Sequence, residues 1–446
     1  AGQRARPRLG RRRKRQVVAL RQGPTLTSPA VETQPVDREA WIRGYESAYE
    51  EDCYTVECAD LPSDLVGTYF RAGPAKFKVG NDQICHPFDG DGMLAAITLD
   101  GKGQLHFRNR FVRTPGFVEE LEAGRMLYRG TFSLKPGGVL NNALDIGGNK
   151  KLANTNVAYW GGELMALWEG GKPTALDPLS LATKGEATLN GVLKGKDRFC
   201  AHPRYDPVTG RLMGFQTDPS PTGTKVSFFE FEPDSWDLHS RIEAEVPGFG
   251  FYHDFVVTEN YYVLSRGPVD VGLQDMAKAF MGLLSIGDCL KFNSAKPGQL
   301  FLIPRDGSAV QSFDVNAHFT FHFANAFEED GNVVIDMALA NELVLNPSED
   351  ALADIPVWEA PDVLDKLPDS RLWRYTVTPG TDNWSRREVC DSYLDFTSIA
   401  RTRQGRPYRY TYALTSTCGG PLQALLKVDV CDQTRQTWSP EPHEFL

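Results

Sequence analysis

The sequence predicts an all-β fold, and among all-β architectures it favours a β-propeller. Short strand-like segments recur along the chain between turn-forming residues, and the 41 glycines and 29 prolines interrupt it too often for alternating βαβ units. A sandwich or a barrel would share these features. A propeller is the economical arrangement for a body that runs from residue 41 to residue 446, because radial repetition adds strands without lengthening any sheet edge.

The predicted strands are short runs bounded by Gly, Asp, Asn and Pro. They are residues 93–99, 104–112, 164–169, 212–217, 225–231, 261–265, 300–304, 333–338, 372–377 and 409–414. Between the first two, the sequence Asp100, Gly101, Lys102, Gly103 suits the tight loop of a β-hairpin.

One segment has the spacing of an amphipathic helix instead. Its apolar residues recur at helical intervals: Leu273, Met276, Ala277, Phe280, Leu283 and Leu284. Such a helix either packs on the body of the fold or presents an apolar face to a bilayer, so residues 273–290 are a candidate peripheral membrane contact. The sequence contains no uninterrupted apolar run of the roughly 18 residues that a membrane-spanning helix requires.

The charge is distributed unevenly. Residues 1–31 contain eight arginines, one lysine and no acidic residue, so the net charge of −10 leaves −19 for the remainder of the chain. We predict that residues 1–40 are a disordered leader of the kind that directs proteins to the chloroplast or another plastid, with a cytoplasmic protein as the alternative. A nuclear signal or a nucleic-acid tail would share this composition. The acidic body offers no second basic patch, however, so no nucleic-acid partner is expected.

Cysteine chemistry and the common cofactor motifs are not indicated. The eight cysteines include no C-x-x-C pair, which argues against a zinc ribbon or a dense disulfide framework and favours a reducing compartment. The sequence also lacks the G-x-x-x-x-G-K-[ST], G-x-G-x-x-G, H-E-x-x-H and G-x-S-x-G signatures. Nucleotide, dinucleotide, zincin and α/β-hydrolase chemistry are therefore not expected.

Histidine is left as the candidate functional residue, and three of the eight lie in apolar or aromatic surroundings. They are His202 in HPRYDP, His253 in FYHDF and His322 in FHFANA. Taken singly, each would more often be a surface or core residue. Their separations of 51 and 69 residues are too long for one local metal motif, but they suit ligands delivered by different blades to a common axis. Imidazole suits zinc, copper, iron or nickel, so the spacing does not identify the metal.

Six separated motifs carry a resemblance to a known family. In chain order they are residues 65–74 (LVGTYFRAGP), 88–93 (FDGDGM), 109–114 (NRFVRT), 167–171 (LWEGG), 252–261 (YHDFVVTENY) and 321–331 (FHFANAFEEDG). With these motifs the chain resembles the carotenoid cleavage oxygenases from about Trp41 to its end. The resemblance implies a seven-bladed β-propeller with helical loops capping one face and a hydrophobic tunnel that admits a polyene.

The resemblance also implies an Fe(2+) ion held near the axis by four histidines, and His202, His253 and His322 match the first three. Family sites have carboxylates behind some of these histidines, and Glu169 matches one of them. Such a carboxylate accepts the free imidazole N–H, fixes the tautomer and raises the basicity of the ligand. Asp395 stands where family members usually have Glu. Because its side chain is one methylene shorter, we expect its bond to the histidine to be lengthened or water-mediated.

The chain departs from the family pattern at its C-terminal end. Family members continue past a Trp and a short loop into a Glu-Pro-x-Phe-Val stretch and later present the fourth histidine beside a Gly. This sequence stops at residue 446, and His443 does not match that ligand. The expectation is a C-terminally truncated propeller with His443 on its surface.

The implied activity is that of a carotenoid cleavage dioxygenase. Such an enzyme uses dioxygen to split a conjugated double bond of a carotenoid or apocarotenoid into two carbonyl products. Aromatic residues beside the site motifs are candidates for the substrate tunnel, with core packing as the alternative role: Trp168, Phe251, Phe321 and Phe396. Two other functions stay open, namely a retinoid or carotenoid isomerase or isomerohydrolase of the same family, and an inactive carotenoid-binding propeller.

Overall fold

A computed structural model describes residues 16–17, 37–58, 60–143, 145, 150–220, 222–346, 355–360, 363–416 and 421–445. Their strands form six sheets of four or five strands and two small ribbons. Edge strands of neighbouring sheets contact one another at three of the sheet boundaries, which indicates a radial arrangement. The predicted all-β propeller is thereby confirmed.

The blades are numbered along the chain. Blade one and the ribbon beside it contain β1 (Gln16–Val17), β2 (Tyr54–Glu57), β3 (Val66–Lys76), β4 (Lys78–Val79), β5 (Asp82–Gln83), β6 (Asp91–Asp100) and β7 (Gln104–Phe111). Blade two contains β8 (Asn156–Trp160), β9 (Glu163–Leu167), β10 (Thr174–Leu176) and β11 (Thr183–Glu186). Blade three contains β12 (Arg204–Tyr205), β13 (Leu212–Pro219), β14 (Gly223–Phe231) and β15 (Leu238–Pro247).

The remaining blades repeat this antiparallel pattern. Blade four and its ribbon contain β16 (Val256–Val257), β17 (Tyr261–Arg266), β18 (Val269–Val271), β19 (Leu290–Phe292), β20 (Gly298–Pro304) and β21 (Gln311–Val315). Blade five contains β22 (Phe323–Glu329), β23 (Asn332–Ala340), β24 (Ser370–Val377) and β25 (Trp384–Cys390). Blade six contains β26 (Leu394–Ile399), β27 (Tyr410–Thr415), β28 (Ala424–Asp429) and β29 (Thr434–Trp438).

The expectation of seven blades is wrong for the described residues, which form six. Each of blades two to six contains four strands that follow one another in chain order. Apart from β1, the six blades, with their connecting loops, extend from residue 54 to residue 438. All the predicted strand segments overlap observed strands. The predicted hairpin joins β6 to β7, and Gly101 and Gly103 adopt left-handed φ angles of 68° and 82° in its loop.

Helices lie in the loops and not within the sheets. The α-helices of the described ranges are α1 (Arg38–Arg43), α2 (Pro115–Ala123), α3 (Gly138–Asn142) and α4 (Leu273–Phe280). Short 3-10 helices occupy Pro87–Asp89, Gly287–Cys289, Val357–Glu359, Leu364–Lys366 and Arg401–Arg403. Helix α4 confirms the predicted helical segment but ends at Phe280. In the described parts of the chain, no helix has both the length and the apolar character that crossing a membrane requires.

The described fold begins at helix α1, apart from strand β1. Asp37 caps the helix by accepting a hydrogen bond from the Ala40 N–H (2.9 Å), and Trp41 belongs to the same buried cluster as Trp358. The predicted boundary at residue 40 lies inside this helix, so the folded body starts a few residues earlier. Other than β1, the predicted leader lies outside the described residues up to position 36.

Loops that carry the helices pack together as one capping layer. The loop after β3 meets the loop after β23, where His86 Nε2 lies 3.0 Å from the Leu345 carbonyl oxygen. The loop after β7 meets the segment after α4, where the Gly287 N–H donates to the Thr131 carbonyl (2.8 Å). Segments from blades one, four and five therefore contact one another.

Side chains interleaved between blades form the core. Phe228 of β14 stacks on Tyr262 of β17 with ring centroids 4.1 Å apart, and neither side chain is exposed (0%). Comparable clusters join blade four to five and blade five to six. Each such ring stabilises the fold by about 1.5–3 kcal/mol. No strand ladder of the described residues crosses between blades, so contacts of side chains and loops hold the blades together.

Residues 401–406, between β26 and β27 of blade six, contact the first strands of two other blades. The Gln404 side chain accepts a hydrogen bond from the Tyr205 N–H (2.7 Å), and the Gly405 N–H donates to Asn325 Oδ1 (3.0 Å). Tyr205 and Asn325 belong to β12 of blade three and β22 of blade five. The segment therefore links blade six to blades three and five.

Candidate metal centre

Three histidines meet near the propeller axis. His202 lies two residues before β12, His253 three residues before β16 and His322 directly before β22, so each stands at the start of the first strand of its blade. One nitrogen of each imidazole lies within 4.8 Å of the corresponding nitrogens of the other two. The structure therefore brings together the three residues on which the sequence prediction of a metal site depended.

Carboxylates from the two flanking blades hold two of these imidazoles. His253 Nδ1–H donates to Oε1 of Glu169 (2.8 Å), which lies two residues after the end of β9 in blade two. His322 Nδ1–H donates to Asp395 Oδ1 (2.7 Å), in β26 of blade six. Since an ionised carboxylate can only accept, the proton of each neutral ring lies on Nδ1, and the Nε2 lone pair is free to bind a metal.

The expected lengthening of the Asp395 bond is wrong, because the contact is direct. A bulge in β26 shifts the register between Asp395 and Ser398, and within it Phe396 adopts a left-handed φ of 54°. Bulges of this kind redirect side chains next to functional sites. We infer that this irregularity brings the Asp395 backbone closer to His322 and compensates for the missing methylene.

Burial and charge set the protonation of the cluster. Burial lowers the pKa of His202 well below its usual value, and the neighbouring rings of His253 and His322 lower it further. Burial also disfavours the charged form of His253, but the charge and hydrogen bond of Glu169 outweigh it and raise the pKa of His253. The pKa of Glu169 is lowered, because its interaction with His253 exceeds the effect of its own burial. His202 is thus held neutral, as a metal ligand must be.

The spacing of the rings fits one shared ion. His202 Nε2 and His253 Nε2 lie 2.9 Å apart, and two nitrogens bound about 2.0–2.1 Å from one ion at a right angle would be about 3 Å apart. Glu169 Oε2 is buried and has no hydrogen-bond partner in the described residues, so its negative charge favours a cation nearby. Neutral imidazoles with carboxylates behind them suit a divalent transition metal.

Three of the four predicted aromatic residues border the cluster. The ring of Phe321 lies 5.6 Å from that of His253, that of Phe251 lies 6.5 Å from it, and that of Phe396 lies 4.6 Å from His322. Phe396 is 53% exposed, so its position is not explained by core packing. The fourth residue, Trp168, lies over Gly170, where a Cβ atom would come within 2.4 Å of its ring.

Sequence reasoning missed two aromatic residues of the capping layer. The Phe88 ring, 44% exposed, lies 6.3 Å from Phe321 and 5.4 Å from Phe132. These contacts place the capping layer on the same side of the propeller as the histidines. Phe88 could have been found, because it opens the FDGDGM motif, whereas no sequence signal distinguishes Phe132.

The FDGDGM motif holds a distant loop in place through its first acidic residue. Asp89 is buried, and its carboxylate accepts hydrogen bonds from the Thr131 N–H (2.8 Å), the Phe132 N–H (3.0 Å) and the Ser133 hydroxyl (2.7 Å). Burial raises its pKa to about 6 despite these donors. Asp89 therefore anchors the loop that places Phe132 beside Phe88.

The remaining sequence expectations concern His443 and the cysteines. His443 is exposed, and the metal-ligating cluster found in the described residues consists of His202, His253 and His322. The seven cysteines that the structure describes are free thiols.

The fold and the site define a class of protein, a β-propeller with three histidines that could hold a metal ion and with aromatic residues beside them. The family model described as "Retinal pigment epithelial membrane protein" (RPE65) matches residues 45–446. The chain belongs to this family, that of the carotenoid oxygenases.

Relatives with assigned names share much of the sequence. The chain is 39% identical over 435 residues to "Apocarotenoid-15,15'-oxygenase" of Synechocystis sp., covering 95% of this chain and 86% of that protein. It is 32% identical over 307 residues to "Carotenoid cleavage oxygenase 1" of Neurospora crassa, covering 66% of this chain and 54% of that protein. The solved structure of cobalt-substituted Synechocystis ACO superimposes with a TM-score of 0.84 at 37% identity, covering 90% of this chain and 84% of that one.

Proposed function

We propose that this protein is a non-haem Fe(2+) dioxygenase that cleaves a conjugated double bond of a carotenoid or apocarotenoid into two carbonyl products. The observation that carries the proposal is the convergence of His202, His253 and His322, with Glu169 and Asp395 behind two of them. The names of the relatives, which are oxygenases of carotenoids and apocarotenoids, support the same substrate class.

In this proposal the three histidines hold the metal and the two carboxylates hold the histidines. Bound iron supplies the redox chemistry that activates dioxygen beside the alkene. Glu169 and Asp395 keep the imidazole protons on Nδ1, so that Nε2 of His253 and of His322 stays a neutral donor. The alkene supplies the electrons, since each oxygen atom of dioxygen ends in one of the two carbonyl products as the carbon–carbon double bond breaks. No nicotinamide, flavin or oxoacid is needed.

The aromatic residues orient the substrate. Phe251 and Phe321 form a corner above His253, because their rings are 6.3 Å apart and meet at 88°. A flat polyene can stack on one ring and meet the edge of the other, each worth about 0.5–1.5 kcal/mol beyond the buried area. Phe396 borders the site on the His322 side. The bond that is cleaved is therefore set by how far the polyene extends past these rings.

We also propose that a bilayer delivers the substrate to the capping layer. Leu140 of α3 is 94% exposed, Leu273 of α4 is 90% exposed, and Phe280 and Met281 are about half exposed at 52% and 49%. The two helices adjoin, since a Cβ atom on Gly282 would lie 2.6–2.7 Å from the backbone at the end of α3. Apolar side chains exposed together on one surface are typical of a membrane contact.

Oxygen labelling tests the proposed reaction. The purified chain, reconstituted with Fe(2+), is incubated with an apocarotenoid under labelled dioxygen, and the products are analysed promptly by mass spectrometry. We expect one labelled oxygen in each carbonyl product. Label arriving only from water would instead indicate an isomerohydrolase, and an unchanged substrate would indicate a carotenoid-binding propeller.

Metal binding tests the proposed centre independently of turnover. Cobalt titration followed by visible absorption should give one site per chain in the wild type and a much weaker site in His253→Ala. His239→Ala is the matched control, because His239 is exposed and pairs with Glu232 away from the axis. Equal cobalt binding in all three proteins would contradict the proposed centre.

A further inference from the structure

A buried ion pair lies directly behind the histidine cluster. Arg204 follows His202 by two residues, and Asp254 follows His253 by one. The Arg204 guanidinium donates to the Asp254 carboxylate, and their side chains are only 11% and 1% exposed. The pair therefore joins the first strand of blade three to the segment that leads into blade four.

The same pair also binds blade five. Asp254 Oδ2 accepts a hydrogen bond from the Phe323 N–H (2.9 Å), and Arg204 Nη2 donates to the Phe323 carbonyl (3.2 Å). Phe323 directly follows His322. Arg204 Nε donates in addition to the Phe255 carbonyl (2.7 Å). Each histidine is thus within two residues of a group in one hydrogen-bonded network that spans three blades.

No strand ladder of the described residues fixes one blade relative to the next. Apolar packing between blades is strong but not directional, and the hydrogen bonds of residues 401–406 reach Tyr205 and Asn325 but not the segment of His253. Hydrogen bonds from a planar guanidinium are directional, and this one donates to a carboxylate and to two carbonyls at defined positions. Metal ligation requires distances within about 0.2 Å of their optimum. The network supplies the positional constraint that packing alone does not.

A contribution to folding stability does not by itself explain why the ion pair of Arg204 and Asp254 lies beside the three histidines. Desolvation makes buried ion pairs weak contributors to stability, and well-packed apolar residues of similar volume often serve as well. Removal of one partner is strongly destabilising, however, because it leaves a buried charge. A positional role explains why both charges lie where three metal-binding segments meet.

We propose that Arg204 and Asp254 form an interblade clamp that sets the spacing of His202, His253 and His322 for metal binding. The inference rests on the proposed function of these histidines as metal ligands. Arg204 and Asp254 are positioning residues, since they act through the backbone next to the ligands. The clamp is specific to an arginine, because lysine offers a point charge and not a fork of donors.

The test compares Arg204→Lys with Arg374→Lys by cobalt titration of the full chain. Arg374 is the matched control, because it donates to both oxygens of the buried Asp336 (2.7 Å each) within blade five. The other side chain on Asp336, the Tyr408 hydroxyl (2.6 Å), comes from blade six and not from a segment that carries one of the three histidines. Both variants keep the positive charge and lose the planar set of N–H donors of the guanidinium group. We expect cobalt affinity to fall by about 10- to 100-fold in Arg204→Lys with an altered visible spectrum, and to stay near wild type in Arg374→Lys.

The outcomes separate the clamp from the proposed function. A wild-type chain that binds no cobalt overturns both. Wild-type binding with an unchanged Kd and spectrum in Arg204→Lys, or an equal loss in both variants, overturns the clamp alone.

If Arg204→Lys does not fold, the double variant Arg204→Met with Asp254→Leu replaces both charges with apolar volume. Weak cobalt binding in the folded double variant supports the clamp, and wild-type affinity overturns it. A double variant that also fails to fold shows a general structural role and overturns the clamp as a positioning device.

Discussion

Asp395 and His322 are joined by a direct hydrogen bond of 2.7 Å, and the same carboxylate oxygen accepts the backbone N–H of Phe396, also at 2.7 Å. The oxygen that orients the imidazole is therefore itself held by the bulge of β26. The length of the Asp395 side chain and the shape of this bulge are matched to each other. A change in either one should disturb the metal centre.

Lengthening this side chain should weaken metal binding. In Asp395→Glu the extra methylene displaces either the carboxylate or the imidazole of His322, because the direct bond already fits the shorter side chain. We expect about a 10-fold loss of cobalt affinity, with a similar loss in Asp395→Asn, whose neutral acceptor is weaker. Isothermal titration with cobalt measures both. A gain of affinity in Asp395→Glu would show that the bulge does not compensate for the shorter residue.

Phe396 has an unfavourable backbone conformation and an exposed side chain. Removing its ring should therefore weaken substrate binding more than it weakens folding. A left-handed φ strains a non-glycine residue by about 1–2 kcal/mol, and Phe396→Gly relieves this strain while removing a ring that is 53% exposed. We expect the free energy of unfolding to stay within about 1 kcal/mol of wild type. The Kd for an apocarotenoid, measured by fluorescence quenching, should rise about 2- to 10-fold.

Gln433→Gly is the control for this prediction. Gln433 has a φ of 55° and is exposed in the turn between β28 and β29, so the substitution relieves the same kind of strain away from the site. Its Kd should equal that of wild type. Destabilisation of Phe396→Gly by several kcal/mol would show that Phe396 supports the fold and not the substrate.

The exposed leucines of the capping layer should govern membrane binding. Glutamate at Leu140 and Leu273 places two charges where the proposed contact is apolar, and each buried leucine is worth about 1.5–3 kcal/mol. We expect the double variant to lose at least about 10-fold in affinity for phosphatidylcholine vesicles in a sedimentation assay. Leu179→Glu is the control, since Leu179 is 83% exposed in blade two. Equal vesicle binding by wild type and the double variant would disprove the contact.

Local sequence patterns predicted the strands and the three histidines, because the residues next to each in the sequence are enough to identify them. The alternation of apolar and polar residues identifies a strand, and separated motifs identify His202, His253 and His322. The number of blades was not predictable in this way. The number of blades depends on how the strands are distributed among the sheets, and the sequence has no clear internal repeat that marks each blade.

The features missed by the sequence are relations between distant segments. The direct bond of Asp395 depends on a bulge that pairs β26 with β27, and the clamp of Arg204 and Asp254 depends on three blades meeting at one point. Neither has a local signature. Arg204 in HPRYDP and Asp254 in FYHDF lie close to the predicted ligands in the sequence. Charged residues are mostly exposed, however, so their position beside a histidine does not by itself predict a buried pair.

Buried histidines outside the metal centre should make folding stability depend on pH. His318 is 0% exposed, its Nδ1–H donates to the Asn316 carbonyl (2.8 Å), and its Nε2 accepts from the Ser265 hydroxyl (2.6 Å). Burial lowers the pKa of His318 to about 4, and burial lowers that of His86 to about 4 as well. Both rings are therefore neutral in the folded protein at pH 7.

Acid should reduce the stability that each of these histidines provides. The unfolded chain binds the proton near pH 6.5 and the folded chain only near pH 4, so stability is complete above pH 6.5 and falls as the pH decreases towards 4. The difference corresponds to roughly 3 kcal/mol per histidine. Asp89 and Asp91 act in the opposite sense, because burial raises the pKa of each to about 6 and stability falls as the pH rises through that value.

Because these groups act in opposite senses, the pH dependence of wild-type stability alone does not isolate His318. The difference in stability between wild type and His318→Asn at each pH does isolate it. His318→Asn keeps a donor for the Asn316 carbonyl but removes the titrating group. Urea unfolding at pH 7 and at pH 4 should show that the stability of His318→Asn relative to wild type improves by roughly 3 kcal/mol at the lower pH. His239→Asn, at an exposed position, should show no such improvement. A constant difference between His318→Asn and wild type across this range would contradict the assignment of His318 as a buried neutral imidazole.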